Sequence, residues 1–221
     1  MYDSTFPQTR PRRWRSSLLV PAGCGAAAIA AFVVLGVDAA VSGRSGWDAH
    51  LSHRLYGQRH NPSFLGGHGG ALVWFLGPTS EVLAIAALAV ILLVLFRRRR
   101  YRDAAFLLAA IAGTFVLEPL LKDLIKRPPF KPTDSGYAFP SGHAMRSAAA
   151  LAAVAITAWT SSRWRWPVAV ASVLLCAVIG VALVYDGWHW AADVVGGWCA
   201  ALAWVSLLYF ALRTRLTNDK R

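Results

Sequence analysis

The chain has 221 residues, enough for one domain, and is 56% hydrophobic and only 15% charged, against about 25% charged in an average soluble domain. Its formal charge of +12 is not laid out as a nucleic-acid footprint: arginines gather in short stretches between long apolar runs, with no interleaved aromatic or groove-reading pattern. Composition therefore excludes a soluble nucleic-acid binder and predicts an integral membrane protein whose surroundings are the bilayer.

In chain order, residues 1–16 carry Pro and Arg without periodicity and are expected to be a disordered basic N-terminus. The apolar run 18–41 is longer than the roughly 7–15 residues of a cleaved signal core and reads as a retained first span. Further runs fall near 76–96, 104–121, 142–160, 167–185 and 190–212, each approaching the roughly 20 residues that cross a bilayer as helix. The prediction is an all-α six-transmembrane-helix bundle over residues 17–212, followed by a basic tail, 213–221. Lys and Arg give its orientation. Arg10, Arg12, Arg13 and Arg15 precede the first span, and Arg97, Arg98, Arg99, Arg100 and Arg102 follow the second. Arg163 and Arg165 follow the fourth, and Arg213, Arg215, Lys220 and Arg221 follow the sixth. With six spans all four groups share one side, which predicts a multi-pass plasma-membrane protein with both termini in the cytoplasm.

The segment 42–75 then lies outside. Trp47, Leu51 and Leu55 recur in it at helical spacing, predicting an amphipathic helix on the outer face between spans one and two. His50, His53, His60 and His68 match no metal-ligand spacing and are read as solvated loop residues. Cys24, Cys176 and Cys199 sit inside apolar runs and are expected to pack rather than pair. Neither a metal nor a cofactor is predicted.

The same topology makes 122–139 an outer loop and places His143 and His189 at the starts of the fourth and sixth spans. Charge alone thus gathers the chemically interesting residues at one face. Asp193 follows His189 by one helical turn and can accept a bond from one ring nitrogen, fixing the tautomer and sharpening the other as a nucleophile. In Ala138–Phe139–Pro140–Ser141–Gly142–His143, Ser141 and Gly142 open a helix whose N–H groups suit an anion, and His143 is placed to act as an acid. The preceding loop offers Lys122, Lys126, Arg127 and Lys131 as phosphate-neutralising cations. Arg146 shares the helical face of His143, and an arginine inside a span calls for an anion or a snorkelling path.

Together these residues resemble the type 2 phosphatidic acid phosphatase superfamily, which shares its site with vanadium haloperoxidases. The family pattern is a lysine loop ending in Arg-Pro, then Pro-Ser-Gly-His, then Ser-Arg, five residues, His, three residues, Asp. The second part is intact at Pro140 to His143, and the third keeps His189 and Asp193. Two arginines of the pattern are absent: the first part would place one where this chain has Pro129, and the third would place Ser-Arg at Ala182 and Leu183. Arg127–Pro128 is similar to the first of the two Arg-Pro pairs in many relatives. Arg146, with Lys131 or Lys126, is expected to substitute for the lost charges.

The resemblance implies a metal-independent phosphatase acting on a lipid phosphate or diphosphate from the outer face. It assigns attack on phosphorus to His189, orientation of that ring to Asp193, and protonation of the leaving oxygen to His143. It assigns phosphate binding to Lys122, Arg127, Ser141 and Gly142, with Arg146 added from its position. A polyprenyl diphosphate carrier such as undecaprenyl or decaprenyl diphosphate is the first-choice substrate, ahead of phosphatidylglycerol phosphate and phosphatidic acid. The competing readings are a lipid phosphotransferase and a catalytically decayed lipid-phosphate binder. A transporter fits less well, because the intramembrane charges collect at one face and no repeated halves are evident.

Overall fold

The computed structural model describes residues 13–58, 78–159 and 164–218. Their regular elements are α-helices: α1 (Arg13–Ser42), α2 (Ala49–Gly57), α3 (Pro78–Arg97), α4 (Tyr101–Ile125), α5 (Gly142–Trp159), α6 (Arg165–Tyr185) and α7 (Ala191–Asn218). Helix is already present at Arg13, ahead of the expected boundary at 17, and α7 continues to Asn218 instead of stopping at 212. Residues 1–12, His60, His68 and Arg163 lie outside the described residues.

Six of these helices fall within a few residues of the apolar runs. Among the described residues, four stretches are long and apolar enough to cross a membrane: Ala22–Ser42, Tyr101–Ile125, Arg165–Tyr185 and Ala191–Leu212. Helix α5 is different in kind. It packs against α4, α6 and α7, and it buries a stripe of alanines, Ala144, Ala148, Ala149 and Ala153. Small side chains let helix backbones approach closely where lipid supplies no hydrophobic drive between helices. Leu107 and Ala110 from α4, Met145 from α5, and Ala201 and Val205 from α7 complete this core. Large apolar residues cover the outside instead, among them Val34, Val37, Phe115, Val116, Val173 and Leu174, as a lipid-facing surface requires.

Helix α2 occupies the region where an amphipathic helix was expected, but its docking is polar. Asp48 and Ser52 are fully buried, whereas Trp47 and Leu51 are exposed. The helix packs on α6 and α7, and the loop after α4 meets it through aromatic rings. His53 lies 5.0 Å from Phe130 and 5.6 Å from Trp190, centroid to centroid. His53 is exposed, in line with its reading as a solvated residue, and its ring also contacts Phe130 and Trp190.

Candidate active site

The start of α7 is held by two carboxylates, one of them from its own first turn, and a hydroxyl. Trp190 N–H donates to Asp193 Oδ2 (2.9 Å), Ala191 N–H to Ser52 Oγ (3.0 Å) and Ala192 N–H to Asp48 Oδ2 (2.8 Å). Three of the donors that a helix leaves unpaired at its N-terminus are therefore satisfied, two of them by the α2 segment. Asp193 also ties α7 to α5, because its carbonyl accepts Ser141 N–H at 3.0 Å. A Cβ on Gly197 would stand 2.7 Å from the Ser141 carbonyl, so only glycine allows this approach.

His189 sits just before that first turn. Its Nδ1 faces Asp193 Oδ2 at 3.4 Å, within ion-pair range and longer than a strong hydrogen bond. Nδ1 has no hydrogen-bond partner. With Nδ1 turned to the carboxylate, Nε2 is left for a substrate. Catalytic hydrogen bonds commonly tighten only once substrate is in place.

A cavity of about 380 Å³ opens over His189, with His143, Gly142 and Trp188 also in its wall. Trp188 meets His143 edge-on at 5.6 Å. The remaining wall is charged: Lys122, Lys131 and Arg146 with Glu118 and Asp134. Glu118 binds both cations of the helical walls, Lys122 Nζ at 2.8 Å and Arg146 Nη1 in a close ion pair. Its carboxylate lies directly on Gly142, where any Cβ would collide with it. An anion therefore already rests between two cations at the start of α5, the kind of place a phosphate would also favour. Lys131 reaches the cavity from the loop, donating to the Asp186 carbonyl at 3.1 Å.

Three of the expected phosphate ligands are not in this wall. Arg127 is fully buried: Nε donates to the Gly43 carbonyl, Nη1 to Asp193 Oδ1 (2.9 Å) and Asp48 Oδ2 (3.2 Å), and Nη2 to Asp48 Oδ1 (2.8 Å). It braces Asp193 from behind and does not line the cavity. Ser141 is also fully buried, and its Oγ accepts only a long 3.4 Å bond from Ala144 N–H as a helix cap. Lys126 takes the left-handed cap position after α4, at φ 55°, and is exposed outside the cavity. Of the two lysines expected to replace a lost arginine, the cavity contains Lys131.

Asp48, Glu118, Asp134 and Trp188 carried no assigned role in the sequence. Glu118 was detectable as an acid inside an apolar run, one turn before Lys122. Asp48 had only its spacing to Ser52 as a signal.

A family model for the PAP2 superfamily matches residues 103–216. The chain belongs to the PAP2 superfamily. The match takes in Lys122, His143, His189 and Asp193 but begins after α2. Among curated relatives, the undecaprenyl-diphosphatase of Sulfolobus acidocaldarius is 32% identical over 95 residues, 43% of this chain and 36% of that protein. Phosphatidylglycerophosphatase B of Bacillus subtilis is 28% identical over 146 residues, 62% of this chain and 69% of that protein. The chain thus spans about a third of the first relative's length and just over two thirds of the second's. The crystal structure of a transmembrane PAP2-type phosphatidylglycerolphosphate phosphatase from Bacillus subtilis superposes with a TM-score of 0.67 at 20% identity, covering 86% of this chain and 96% of that one. It shares the fold, and the chain is a multi-pass membrane protein of that architecture.

Proposed function

We propose that this PAP2 protein is a metal-independent lipid phosphate phosphatase working through a phospho-histidine intermediate. The observation that carries the reading is one cavity into which His189, backed by Asp193, and His143 both open, walled by Lys122, Lys131 and Arg146. In the first step the Nε2 lone pair of His189 forms a bond to phosphorus as the bond to the leaving oxygen breaks, and His143 gives that oxygen its proton. In the second step a water oxygen attacks the phospho-histidine, its proton passes to His143, and phosphate leaves with His189 restored. The three cations stabilise the charge that accumulates on the non-bridging oxygens. Arg146 and Lys131 stand in for the arginines lost at Pro129 and Leu183.

A polyprenyl diphosphate is the favoured substrate, with the lipid monophosphate as leaving group. The relative named an undecaprenyl-diphosphatase supports it. The longer alignment to a phosphatidylglycerophosphatase supports phosphatidylglycerol phosphate as the second choice. With six spans and both termini cytoplasmic, the cavity faces outward, where spent carrier lipid would be met.

The test is inorganic phosphate release by purified protein in detergent with a chelator, from undecaprenyl diphosphate, phosphatidylglycerol phosphate and phosphatidic acid. Chelator-resistant release that disappears in His189→Ala is the expected result, and the relative rates rank the substrates. No release from any of the three would leave a lipid-phosphate binder. Phosphate passed to an added alcohol in preference to water would make the protein a phosphotransferase.

A further inference from the structure

Behind His189, on the side away from the cavity, lies a buried cluster of which the phosphatase chemistry uses only Asp193. Asp48, Arg127 and Asp193 are all fully buried. Arg127 is shared between the two carboxylates, at 2.8 Å to Asp48 and 2.9 Å to Asp193. Two buried carboxylates on one guanidinium leave a net negative charge in a low-dielectric place, which is costly unless something gains from it. His189 meets this excess through Asp193 Oδ2, while the uncharged Trp190 ring packs on the Arg127 guanidinium.

We propose that Asp48 is a positioning residue for the His189–Asp193 pair, engaging Arg127 so that the Asp193 carboxylate keeps its charge for the ring. An Asp193–Arg127 pair alone would be neutral, and His189 would face a carboxylate whose charge was already cancelled. Asp48 takes up the arginine's charge and leaves Asp193 its own. The same carboxylate fixes α7 in place, because its Oδ2 accepts Ala192 N–H. Asp48 therefore sets both the charge and the location of the pair that acts. It belongs to the α2 segment, outside the part of the chain that the family match covers.

Other charged groups meet these residues from elsewhere. Asp38 of α1 stands close to Arg127 and Asp48 around Gly46. From the cavity side His189 is faced by Glu118, Lys122, Lys131, Asp134, His143 and Arg146. None of these changes in the variants below, so differences among the variants isolate the buried cluster.

The inference rests on the phosphatase reading and is tested by the pH dependence of kcat/KM for phosphate release. An attacking imidazole must be neutral, so the acid limb reports His189 and the alkaline limb reports the proton on His143. Asp48→Asn removes one negative charge, so the ring loses protons more readily. Its acid limb is expected to move to lower pH by about half a unit or more, with kcat lowered about tenfold and the alkaline limb in place. Asp48→Asn with Arg127→Met removes one charge of each sign, and the limb is expected to return to the wild-type position or above it. Ser52→Ala loosens the α7 cap without changing charge, and is expected to lower thermal stability with both limbs unmoved.

An unmoved acid limb in Asp48→Asn overturns the inference, as does an equal shift in Ser52→Ala or an uncorrected one in the double variant. If the single variant does not fold, the double variant decides: a folded protein with the wild-type limb supports the inference and a lower limb overturns it. Failure of both to fold makes Asp48 a fold-holding residue only and also overturns it. Absence of release by the wild-type protein is a different result and refutes the phosphatase reading itself.

Discussion

Two charge clusters flank His189, and they are built with opposite balance. On the cavity side Glu118 holds two cations, Lys122 and Arg146, in a partly exposed setting. On the far side Arg127 is held by two carboxylates, Asp48 and Asp193, with no exposure at all. The cavity side keeps spare positive charge, which suits an incoming phosphate. The buried side keeps spare negative charge, which suits an imidazole that must become cationic or phosphorylated. The same pairing of carboxylate and cation thus serves two purposes, and the count of each sign separates them.

The comparison breaks most completely at Arg127. Arg127→Ala leaves Asp48 and Asp193 buried together without a counter-charge, where losing one partner of a buried pair costs about 3–5 kcal/mol. The expected outcome is loss of folded protein, read as a collapse of yield in detergent and of the thermal transition. On the cavity side Arg146→Ala removes a cation that is only partly buried, so the fold is expected to survive. Its phosphate release is expected to fall by about two to three decades in kcat/KM, as when one charge-stabilising donor is lost. An Arg146→Ala protein with unchanged turnover would remove Arg146 from the phosphate site.

How much of this was legible beforehand differs between the same two sides. The cavity side was readable in part, Glu118, Asp134 and Trp188 excepted, because its residues lie in one stretch of helix or loop each: His143 and Arg146 share a face of α5, and His189 and Asp193 lie a turn apart. Helix positions were readable for the same reason, since apolar runs report span length directly. Arg127 was expected among the phosphate ligands because a basic loop residue next to proline looks like one, and its burial was hidden because its partner Asp48 is 79 positions away. Nothing local in the sequence announces so distant a pairing. For Ser141 the burial was equally hidden. Its place beside Gly142 and His143 suggested contact with substrate, whereas the tight approach of α7 at Gly197 closes it off. Apolar spacing pointed to a helix in the segment 42–75, but which face α2 buries follows from the donors at the start of α7, and these appear only in three dimensions.

The loop lysines sharpen the contrast at smaller amplitude. Lys131 reaches into the cavity and Lys126 does not, although either could replace a missing arginine by sequence position. Lys131→Ala is expected to lower kcat/KM about tenfold or more. Lys126→Ala is expected to stay within about twofold of wild type, because an exposed charge outside the site is screened by solvent. Assaying the two side by side separates a contact from a general basic field: equal losses would mean that the loop acts only through its summed charge.

A smaller effect than that at Lys131 is expected at Glu118, and its sign is the informative part. Glu118 occupies the space between Lys122 and Arg146 that a phosphate oxygen would also seek, and it competes for the same donors. Glu118→Gln keeps the shape and withdraws the competing charge. Inorganic phosphate, the proposed product, is then expected to inhibit several-fold more strongly, a change of about 1 kcal/mol for a charge interaction near a wet surface. The alternative is that Glu118 chiefly holds Arg146 upright, in which case the glutamine variant would bind phosphate more weakly and lose turnover together. Product-inhibition constants measured for the variant and the parent therefore give opposite signs for the two roles. Tighter inhibition would mean that the cavity's spare positive charge is limited by Glu118, and that the carboxylate eases release of phosphate after each turnover.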